Sequence, residues 1–311
     1  MKSSSPLVSI MAVNYNSRNY VIETLESIKN QTYENVELII IDDCSTDGSV
    51  DIIREWVKTY PKPVKLILHE KNRGLCATCN HALENATGKY TSMIATDDIM
   101  LPDKITKQVA ILELTGENIA LVYSDAYLID DAGKRKFGTY MTVRSKCKFE
   151  YPPSGNILQH FAHNNFLMGQ SALYKKSVFD AVGGYDEELA FEDYDMSIRI
   201  AKRYEILHSD EIFVCYRVHS ESFSSKTSNW DQMLFPLYLK HFDVTGFKEK
   251  AEMVLTNCYI YRDKDFKNKL EKFNRAAGTK YKYSRFIRAG VPPILFKIFI
   301  RGAEYFHFIG K

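Results

Sequence analysis

The first third of the chain repeats one pattern: an apolar run ends at polar or acidic side chains and leads into an amphipathic segment. The run LVSIMAV ends at Asn14-Tyr15-Asn16, and the run VELIII ends at Asp42 and Asp43. Runs that are apolar at successive positions are typical of strands buried on both faces of a parallel sheet. Their alternation with helices predicts an α/β fold, with a mainly parallel sheet flanked by helices.

A further apolar run, SMIA, ends at the carboxylate pair Asp97 and Asp98, just before the helix start LPDK. In an open α/β sheet, ligands bind at the carboxyl ends of the strands. Adjacent carboxylates repel each other, which raises the pKa of one of them unless a cation offsets the charge. Oxygen ligands suit Mg²⁺ or Mn²⁺. A helix start, with one Asp capping and the other facing solvent, is the other interpretation of the pair taken alone.

The second half of the chain is less regular. IALVYSDAYLID and KFGTYMTV, joined by GKR, predict a hairpin, and NNFLMGQSALY predicts a strand interrupted at Gly169. FEDYDMSIRIAKRY predicts a helix with Glu192 and Asp193 in its first turn, where the helix dipole favours negative charge. Helix-start electrostatics alone would therefore account for these two carboxylates. The residues after Lys226 are expected to form helices.

Composition indicates a soluble globular protein with an ample core. The chain has 311 residues, 45% apolar and 26% charged, enough for one large α/β domain plus an appendage or for two small domains. Its six cysteines are scattered, and no secretory signal precedes the first strand, so we expect free thiols in a reducing cytosol. Cys76 and Cys79 have metal-site spacing but no second pair, which favours core thiols over a zinc site.

The charge is unevenly distributed along the chain. Residues 226–311 hold 17 Lys and Arg against 8 Asp and Glu, whereas residues 1–225 hold 24 against 31. The apolar stretch VPPILFKIFI is only about ten residues, well below the roughly 20 that a spanning helix needs. Basic residues mixed with Phe, Ile and Tyr fit a helix lying on an anionic bilayer. A tail that packs on the body of the protein is the alternative.

The order of seven separated motifs carries a resemblance. VSIMAVNYN, ESIKNQTYENVELIIIDDCSTDGS, NRGLCATCNHAL, ATDD, GGYDEEL, FEDYD and YRVHSES resemble, in order and spacing, the family 2 inverting glycosyltransferases, which have the GT-A fold. The resemblance covers about residues 6–225. It implies a GT-A domain over 1–225, with nucleotide-sugar binding in about 6–130 and the acceptor side in about 131–225. The sequence pattern and the charge count predict a basic helical extension over 226–311.

The resemblance also implies roles for individual residues. In such enzymes the strand ends and the NRG segment bind the nucleotide, which here implies Val13, Asn14, Tyr15, Asp42, Asp43, Asn72, Arg73 and Gly74. The family's Asp-x-Asp motif corresponds to Ala95-Thr96-Asp97, so its first carboxylate is missing. On this interpretation Asp97 faces the ribose or the metal, Asp98 and His219 bind Mn²⁺ or Mg²⁺, and Arg217 supports the diphosphate.

The implied catalytic base is Asp193, with Gly169, Gln170 and Glu192 on the substrate and acceptor side. Such roles are chemically consistent, because a divalent cation stabilises the charge that develops on a departing diphosphate. A carboxylate on the opposite face of the sugar can take the proton of the acceptor hydroxyl. A single displacement of this kind inverts the anomeric configuration.

The resulting expectation is a metal-dependent, inverting glycosyltransferase that moves a sugar from a nucleotide-sugar, expected to be a UDP-sugar, to a glycan or lipid-linked acceptor. We expect it to act in surface polysaccharide synthesis, in the cytoplasm or peripherally on the inner face of the membrane. One alternative is a nucleotide-sugar-binding protein without turnover, supported by the missing first Asp. Another is a nucleotidyltransferase on a related fold, although NYNSRNY lacks the usual Gly-rich phosphate loop. The acidic body disfavours nucleic-acid binding.

Overall fold

The computed structural model describes residues 5–144, 152–162, 165–222, 225 and 230–300. The chain divides into two compact units, residues 1–227 and 228–311. The five described cysteines are free thiols, whereas Cys147 and the last eleven residues of the basic tail lie outside the described residues.

The first unit is built on one nine-stranded sheet with helices between the strands. Its strands are β1 Val8–Asn14, β2 Val36–Asp42, β3 Val64–Leu68, β4 Tyr90–Ala95, β5 Ile99–Met100, β6 Ile119–Ile129, β7 Arg135–Thr139, β8 Leu173–Lys175 and β9 Glu205–Arg217. Its helices are α1 Val21–Lys29, α2 Ser49–Val57, α3 Leu75–Asn85, α4 Lys104–Glu113, α5 Ser177–Val182 and α6 Asp193–Ala201.

Strand β1 lies between β2 and β4 and pairs in parallel with both. All seven of its residues are buried, which explains its unbroken apolar sequence. The register aligns Asn14 with Asp42 and Val13 with Ala95. The polar residues that follow these strands therefore meet at one edge of the sheet, as the sequence pattern predicted.

Helices cover both faces of this parallel region. Leu25 of α1, Ile53 of α2 and Ile105 of α4 share one apolar core with Ile10 and Ile40. On the opposite face, the Cys79 thiol of α3 lies 3.2 Å from the Met93 sulfur. Successive strand side chains point to opposite faces, so both alternating sets are buried here. The predicted α/β architecture is confirmed.

The other half of the sheet is mixed. β8 pairs antiparallel with both β4 and β6, while β6 and β9 run parallel. The predicted hairpin is present as the antiparallel pair β6 and β7. Among the described residues of NNFLMGQSALY, only Leu173 and Tyr174 lie in a strand, because Gly169–Ser171 forms a 3₁₀ turn just before it.

Helix α4 holds this turn in place. The Gln108 side-chain amide donates to the Ser171 carbonyl oxygen at 2.7 Å, and the Lys104 ammonium donates to the Ala172 carbonyl oxygen at 3.1 Å. Lys104 also donates to the Ser92 hydroxyl at 2.7 Å. Burial lowers the pKa of Lys104 to about 7, yet its hydrogen bonds remain satisfied. The turn is thus fixed to β4 through buried polar contacts.

The second unit is helical in its described part. Its helices are α7 Trp230–Lys240, α8 Phe247–Ile260, α9 Phe266–Ala277 and α10 Ser284–Arg288, and residues 293–300 are also helical. None of the helices in the described residues combines the length and apolarity that crossing a bilayer requires.

Candidate active site

Asn14 ties together the ends of the three central strands. Its side-chain nitrogen lies 2.6 Å from an Asp42 carboxylate oxygen and 3.0 Å from the Ser49 hydroxyl. The Thr96 hydroxyl donates to the Asn14 side-chain oxygen at 2.5 Å. Asp42 also accepts the Ser45 backbone N–H at 2.9 Å. Two of the predicted nucleotide-binding residues, Asn14 and Asp42, are therefore buried and hydrogen-bonded to protein groups.

Val13 and Tyr15 flank Asn14 with different exposures. Val13 is buried, and its carbonyl oxygen accepts the Thr96 backbone N–H at 3.1 Å. The Tyr15 side chain is 53% exposed just past the end of β1. An exposed ring at a strand end is suited to lie against a planar base, and buried Val13 can offer only its backbone.

Asp43 organises the NRG segment before α3. Its two carboxylate oxygens accept the backbone N–H groups of Arg73 at 2.8 Å and Gly74 at 2.9 Å. Asn72 donates to the Asp43 carbonyl oxygen at 3.3 Å. Gly74 has φ of +85°, a conformation that favours glycine. The structure thus brings these four predicted residues together, and it adds His69, whose Nδ1 lies 2.8 Å from Asp43.

Asp98 points into the protein. It is 1% exposed, one of its carboxylate oxygens accepts the Arg217 backbone N–H at 2.8 Å, and its carbonyl oxygen accepts the Thr24 hydroxyl at 2.7 Å. Burial, and then the charge of Asp97, raise the pKa of Asp98 well above its usual range. Its second carboxylate oxygen has no hydrogen-bond partner among the described residues. This geometry does not favour the metal-binding role that the sequence predicted for Asp98.

Asp97 instead meets His219. The His219 Nε2 lies 3.0 Å from an Asp97 carboxylate oxygen, across 122 positions of sequence. The Asp97 side chain keeps 23% of its surface exposed, and the Tyr20 ring centroid lies 4.7 Å from that of His219. A partly open carboxylate and an imidazole at one point can both bind a divalent cation.

Asp97 and His219 would supply only two protein ligands to a metal ion. Within the described residues, no group of three or more His, Cys, Asp or Glu side chains is arranged to hold a metal ion. Mg²⁺ is commonly bound by one or two carboxylates together with substrate phosphates, so a complete protein cage is not required. Asp97 and His219 therefore fit a cation that is shared with a bound diphosphate.

Arg217 is a buried support for this pair. It is 1% exposed, its Nε donates to the Asp97 carbonyl oxygen at 2.8 Å, and its guanidinium also donates to the carbonyl oxygens of Asp130 and Asp131. The remaining guanidinium nitrogen pairs with the Glu23 carboxylate. These contacts favour a positioning role over the predicted direct support of a diphosphate. Sequence analysis missed Glu23, which reads as an ordinary surface residue of α1.

Asp193 is brought to the same edge of the sheet. Because β8 runs antiparallel to β4, with Tyr174 opposite Thr91, the preceding turn Gly169–Ser171 runs back towards the carboxyl end of β4. A Cβ atom built on Gly169 would lie 3.4 Å from the Asp193 Cβ. Asp193, the first residue of α6, therefore sits beside this turn.

The two adjacent carboxyl groups of Glu192 and Asp193 differ in proton affinity. Burial raises the pKa of Asp193 to about 6, although hydrogen bonds from Asn165 at 3.1 Å and from the Gly169 backbone N–H lower it in part. Burial, and then the charge of Asp193, raise the pKa of Glu192 to about 8. Two neighbouring carboxyl groups with separated pKa values can take different roles, one ionised and one protonated.

Two side-chain amides lie in this part of the fold: Asn165 donates to Asp193, and Gln170 follows Gly169, whose backbone N–H also bonds Asp193. The side-chain oxygens of Asn165 and Gln170 are buried and have no hydrogen-bond partner within the part of the chain that the structure describes. Buried acceptors without a partner are costly, so they are suited to receive hydroxyl donors from a bound molecule. Gln170 was predicted on this side from the sequence, whereas Asn165 was not, since NNF carries no distinct signal.

Comparison with known proteins decides the family. The model of glycosyl transferase family 2 matches residues 9–183, more than half of the chain. The chain belongs to glycosyltransferase family 2. An uncharacterized glycosyltransferase of Methanocaldococcus jannaschii is 31% identical over 83% of this chain and 84% of its own length.

Other relatives of this family member are matched over shorter parts of their length. An uncharacterized glycosyltransferase of Rickettsia felis is 30% identical over 73% of this chain and 36% of its own length. A putative teichuronic acid biosynthesis glycosyltransferase of Bacillus subtilis, TuaG, is 38% identical over 35% of this chain and 42% of its own length. The chain thus spans less than half the length of these two relatives.

Solved structures confirm the predicted GT-A fold. TarS of S. aureus in complex with UDP-GlcNAc has a TM-score of 0.61 and 16% identity, covering 86% of this chain and 81% of that chain. The mannosyltransferase PcManGT of Pyrobaculum calidifontis, in complex with GDP-Man and Mn²⁺, has a TM-score of 0.61 and 19% identity. The match covers 93% of this chain and 80% of that chain.

The contact between Asn165 and Asp193 gives a testable prediction. Replacing Asn165→Leu removes a hydrogen bond that stabilises ionised Asp193, so the pKa of Asp193 rises. The acidic limb of the kcat/KM profile should then move to higher pH, by up to about one pH unit for a bond worth about 1 kcal/mol. A pH series from 5 to about 9 on the purified variant measures this.

Gln170→Leu is the control for that series, because the described contacts of Asp193 do not include the Gln170 side chain. Its acidic limb should stay in place. An unchanged acidic limb in Asn165→Leu, with an unfolding midpoint equal to that of the wild type, would show that Asn165 does not influence the pKa of Asp193.

Proposed function

We propose that this glycosyltransferase moves a sugar from a nucleotide-sugar to a hydroxyl group with inversion at the anomeric carbon. The observation that carries the proposal is that the Asp97 and His219 pair lies at the same carboxyl edge of the sheet as the turn that holds Asp193. One group of side chains is suited to the departing diphosphate, and the other is suited to the incoming alcohol.

The donor is proposed to be a UDP-sugar bound across β1, β2 and the NRG segment. The exposed Tyr15 ring and the loop that Asp43 fixes at Arg73 and Gly74 support a base and ribose site there. The complexes of TarS with UDP-GlcNAc and of PcManGT with GDP-Man support a nucleotide-sugar as the class of donor.

A divalent cation, Mn²⁺ or Mg²⁺, is proposed to be held by Asp97 and His219. When bound, it would supply positive charge to the diphosphate as the bond to the sugar breaks. Arg217 holds the Asp97 backbone, and Asp98 anchors the Arg217 backbone, so both residues keep the pair in position. The presence of Mn²⁺ in the PcManGT complex supports a cation of this class.

Asp193 is proposed as the base that accepts the proton of the acceptor hydroxyl. With a pKa of about 6, it is mostly ionised at neutral pH and can still hold a proton during the displacement. Direct attack by the hydroxyl on the sugar requires no enzyme nucleophile, and it inverts the configuration. Glu192, Gly169 and Gln170 would line the acceptor side.

The acceptor is proposed to be a glycan or a lipid-linked glycan of a surface polysaccharide, at the cytoplasmic face of the membrane. The name of TuaG, a putative teichuronic acid biosynthesis enzyme, supports the polysaccharide class. The excess of Lys and Arg in the C-terminal tail, mixed with Phe, Ile and Tyr, supports action at a membrane surface.

A donor panel tests the proposal. Purified protein is incubated with UDP-, GDP- and dTDP-sugars in Mn²⁺ or Mg²⁺, and release of the nucleoside diphosphate is followed by chromatography. We expect release from one nucleotide class and its loss in excess chelator. Binding of a nucleotide-sugar without release or transfer under any condition would favour the binding protein without turnover. Release that persists in excess chelator would contradict the metal site.

A further inference from the structure

The last described helical segment, residues 293–300, presents an apolar face to solvent. Four of its side chains are largely exposed: Ile294 at 65%, Leu295 at 55%, Ile298 at 63% and Phe299 at 46%. Their spacing places them on adjoining sides of one helix. Contiguous exposed apolar surface of this kind marks a site of interaction with a membrane or another molecule.

The helix is anchored from its opposite side, which fixes the direction of this face. Phe296 is fully buried, with its ring centroid 5.1 Å from that of Tyr259 and 5.2 Å from that of Tyr283. The Tyr259 hydroxyl donates to the Val291 carbonyl oxygen at 2.5 Å, just before the helix. The aromatic cluster therefore holds the exposed side chains outward.

The surrounding chain is strongly basic. From Lys272 to Ile300, within the described residues, the sequence has seven Lys and Arg and no acidic residue. Arg285 and Arg288 of α10 are exposed, and neither forms an ion pair with any described residue. A local excess of unpaired positive charge attracts anionic surfaces.

We propose that the apolar face of residues 293–300, together with Arg285, Arg288 and Lys297, is a docking surface for an anionic lipid bilayer. The apolar side chains enter the boundary between headgroups and acyl chains, while the basic side chains contact lipid phosphates. Lys297 lies within the helix, with its ammonium over the exposed Tyr261 ring at 5.1 Å. Lipid binding does not depend on the sugar-transfer reaction, so the two proposals are tested separately.

A bilayer fits this surface better than a second copy of the chain or a nucleic acid. A helix of eight residues is about 12 Å long, and the surface it offers falls short of the roughly 800 Å² per partner of a stable interface. A second copy would also bring two clusters of like charge together. Nucleic acid would leave the exposed Ile, Leu and Phe side chains without an apolar partner.

Flotation of the full chain with vesicles tests this proposal. We expect the protein to float with vesicles that contain phosphatidylglycerol, and to remain at the bottom with pure phosphatidylcholine. Arg285→Gln with Arg288→Gln should weaken binding about 30-fold, since each basic residue near such a surface contributes about 1 kcal/mol. Ile294→Ser with Ile298→Ser should also lower binding. Both effects should be measured at about 0.1 M salt, where charges are only partly screened.

The control variants carry the same kinds of substitution, apolar to Ser and Arg to Gln, at exposed positions of the first unit. Phe137→Ser and Leu114→Ser remove side chains that are 97% and 90% exposed in the first unit, and Arg54→Gln removes an exposed arginine of α2. These should float like the wild type, and all variants should keep wild-type nucleotide-sugar hydrolysis.

Three results would overturn the proposal. The first is a wild type that does not float with anionic vesicles. The second is a pair of tail variants that float as well as the wild type. The third is a wild-type dimer that Ile294→Ser with Ile298→Ser dissociates, since a second copy would then cover this face.

Discussion

Asp193→Asn should abolish sugar transfer while leaving donor binding nearly unchanged. General-base catalysis contributes typically about 10²- to 10⁴-fold to a rate, and the amide cannot accept the proton of the hydroxyl. Asn preserves the shape of the side chain at the start of α6 and can still accept the hydrogen bond from Asn165. We therefore expect kcat to fall by that factor with the Kd of the donor within about threefold, measured by transfer assay and calorimetry.

Glu192→Gln is the matched control, because the same acid-to-amide change is made one residue earlier. The pKa of Glu192, raised to about 8, leaves this group mainly protonated at neutral pH, and Gln resembles a neutral carboxylic acid in size and polarity. We expect less than a tenfold loss at pH 7. A larger loss in Glu192→Gln than in Asp193→Asn would transfer the role of base to Glu192.

The pH profile of the wild type should show activity that falls on the acidic side, as Asp193 becomes protonated. Asp193 must be ionised to act as a base, and its pKa is raised to about 6, chiefly by burial. Activity should therefore be lost as the pH falls through about 6, well above the ordinary range of an aspartate. An acidic limb near pH 4 would contradict the buried environment of this carboxylate.

Asp97→Asn should lower transfer about 10²- to 10³-fold, the range found when one group that stabilises developing charge is removed. The loss follows from weaker metal binding, since Asp97 is the partly exposed carboxylate beside His219. The Mn²⁺ concentration for half-maximal activity should rise at least about tenfold. A metal titration of the residual activity measures both changes, and His219→Ala should move it in the same direction.

Asp98→Asn separates the two neighbouring carboxylates. Asp98 accepts the Arg217 backbone N–H and is almost fully buried, and Asn can make the same contact. We expect its metal titration to resemble that of the wild type, with any loss visible mainly in thermal stability. A raised Mn²⁺ requirement in Asp98→Asn, with a normal one in Asp97→Asn, would restore the assignment of the metal to Asp98.

The sequence was informative wherever one local pattern decides the outcome. Seven successive apolar residues in β1 are all buried, because a strand covered on both faces has no solvent side. Asp43 and the NRG segment were predicted near one site, and parallel strands do bring the residues after β2 and β3 to the same edge. The helix predicted over FEDYDMSIRIAKRY is present as α6, although it begins at Asp193, so that Glu192 stands just before its first turn.

The sequence was less informative where a turn redirects the chain. The predicted strand around Gly169 is mostly a turn, held by Lys104 and Gln108 from another helix. Charged and amide side chains at helical spacing normally indicate a solvent-facing surface, so the burial of Lys104 has no sequence signal. Asn165 was missed for the same reason, since its importance depends on a contact with Asp193.

By itself, the sequence determined the alternation of strands and helices in the first half of the chain, the polar ends of those strands and the resemblance to family 2 glycosyltransferases. Only the tertiary structure decided that Asp97, not Asp98, lies within hydrogen-bonding distance of His219. It also decided that the Arg217 guanidinium pairs with Glu23 and donates to backbone carbonyl groups. Adjacent residues beyond a strand end can point in opposite directions, and the periodicity that orients side chains within a strand is lost in the turn. Which of two neighbouring carboxylates is buried then depends on the elements that pack against it from distant parts of the chain.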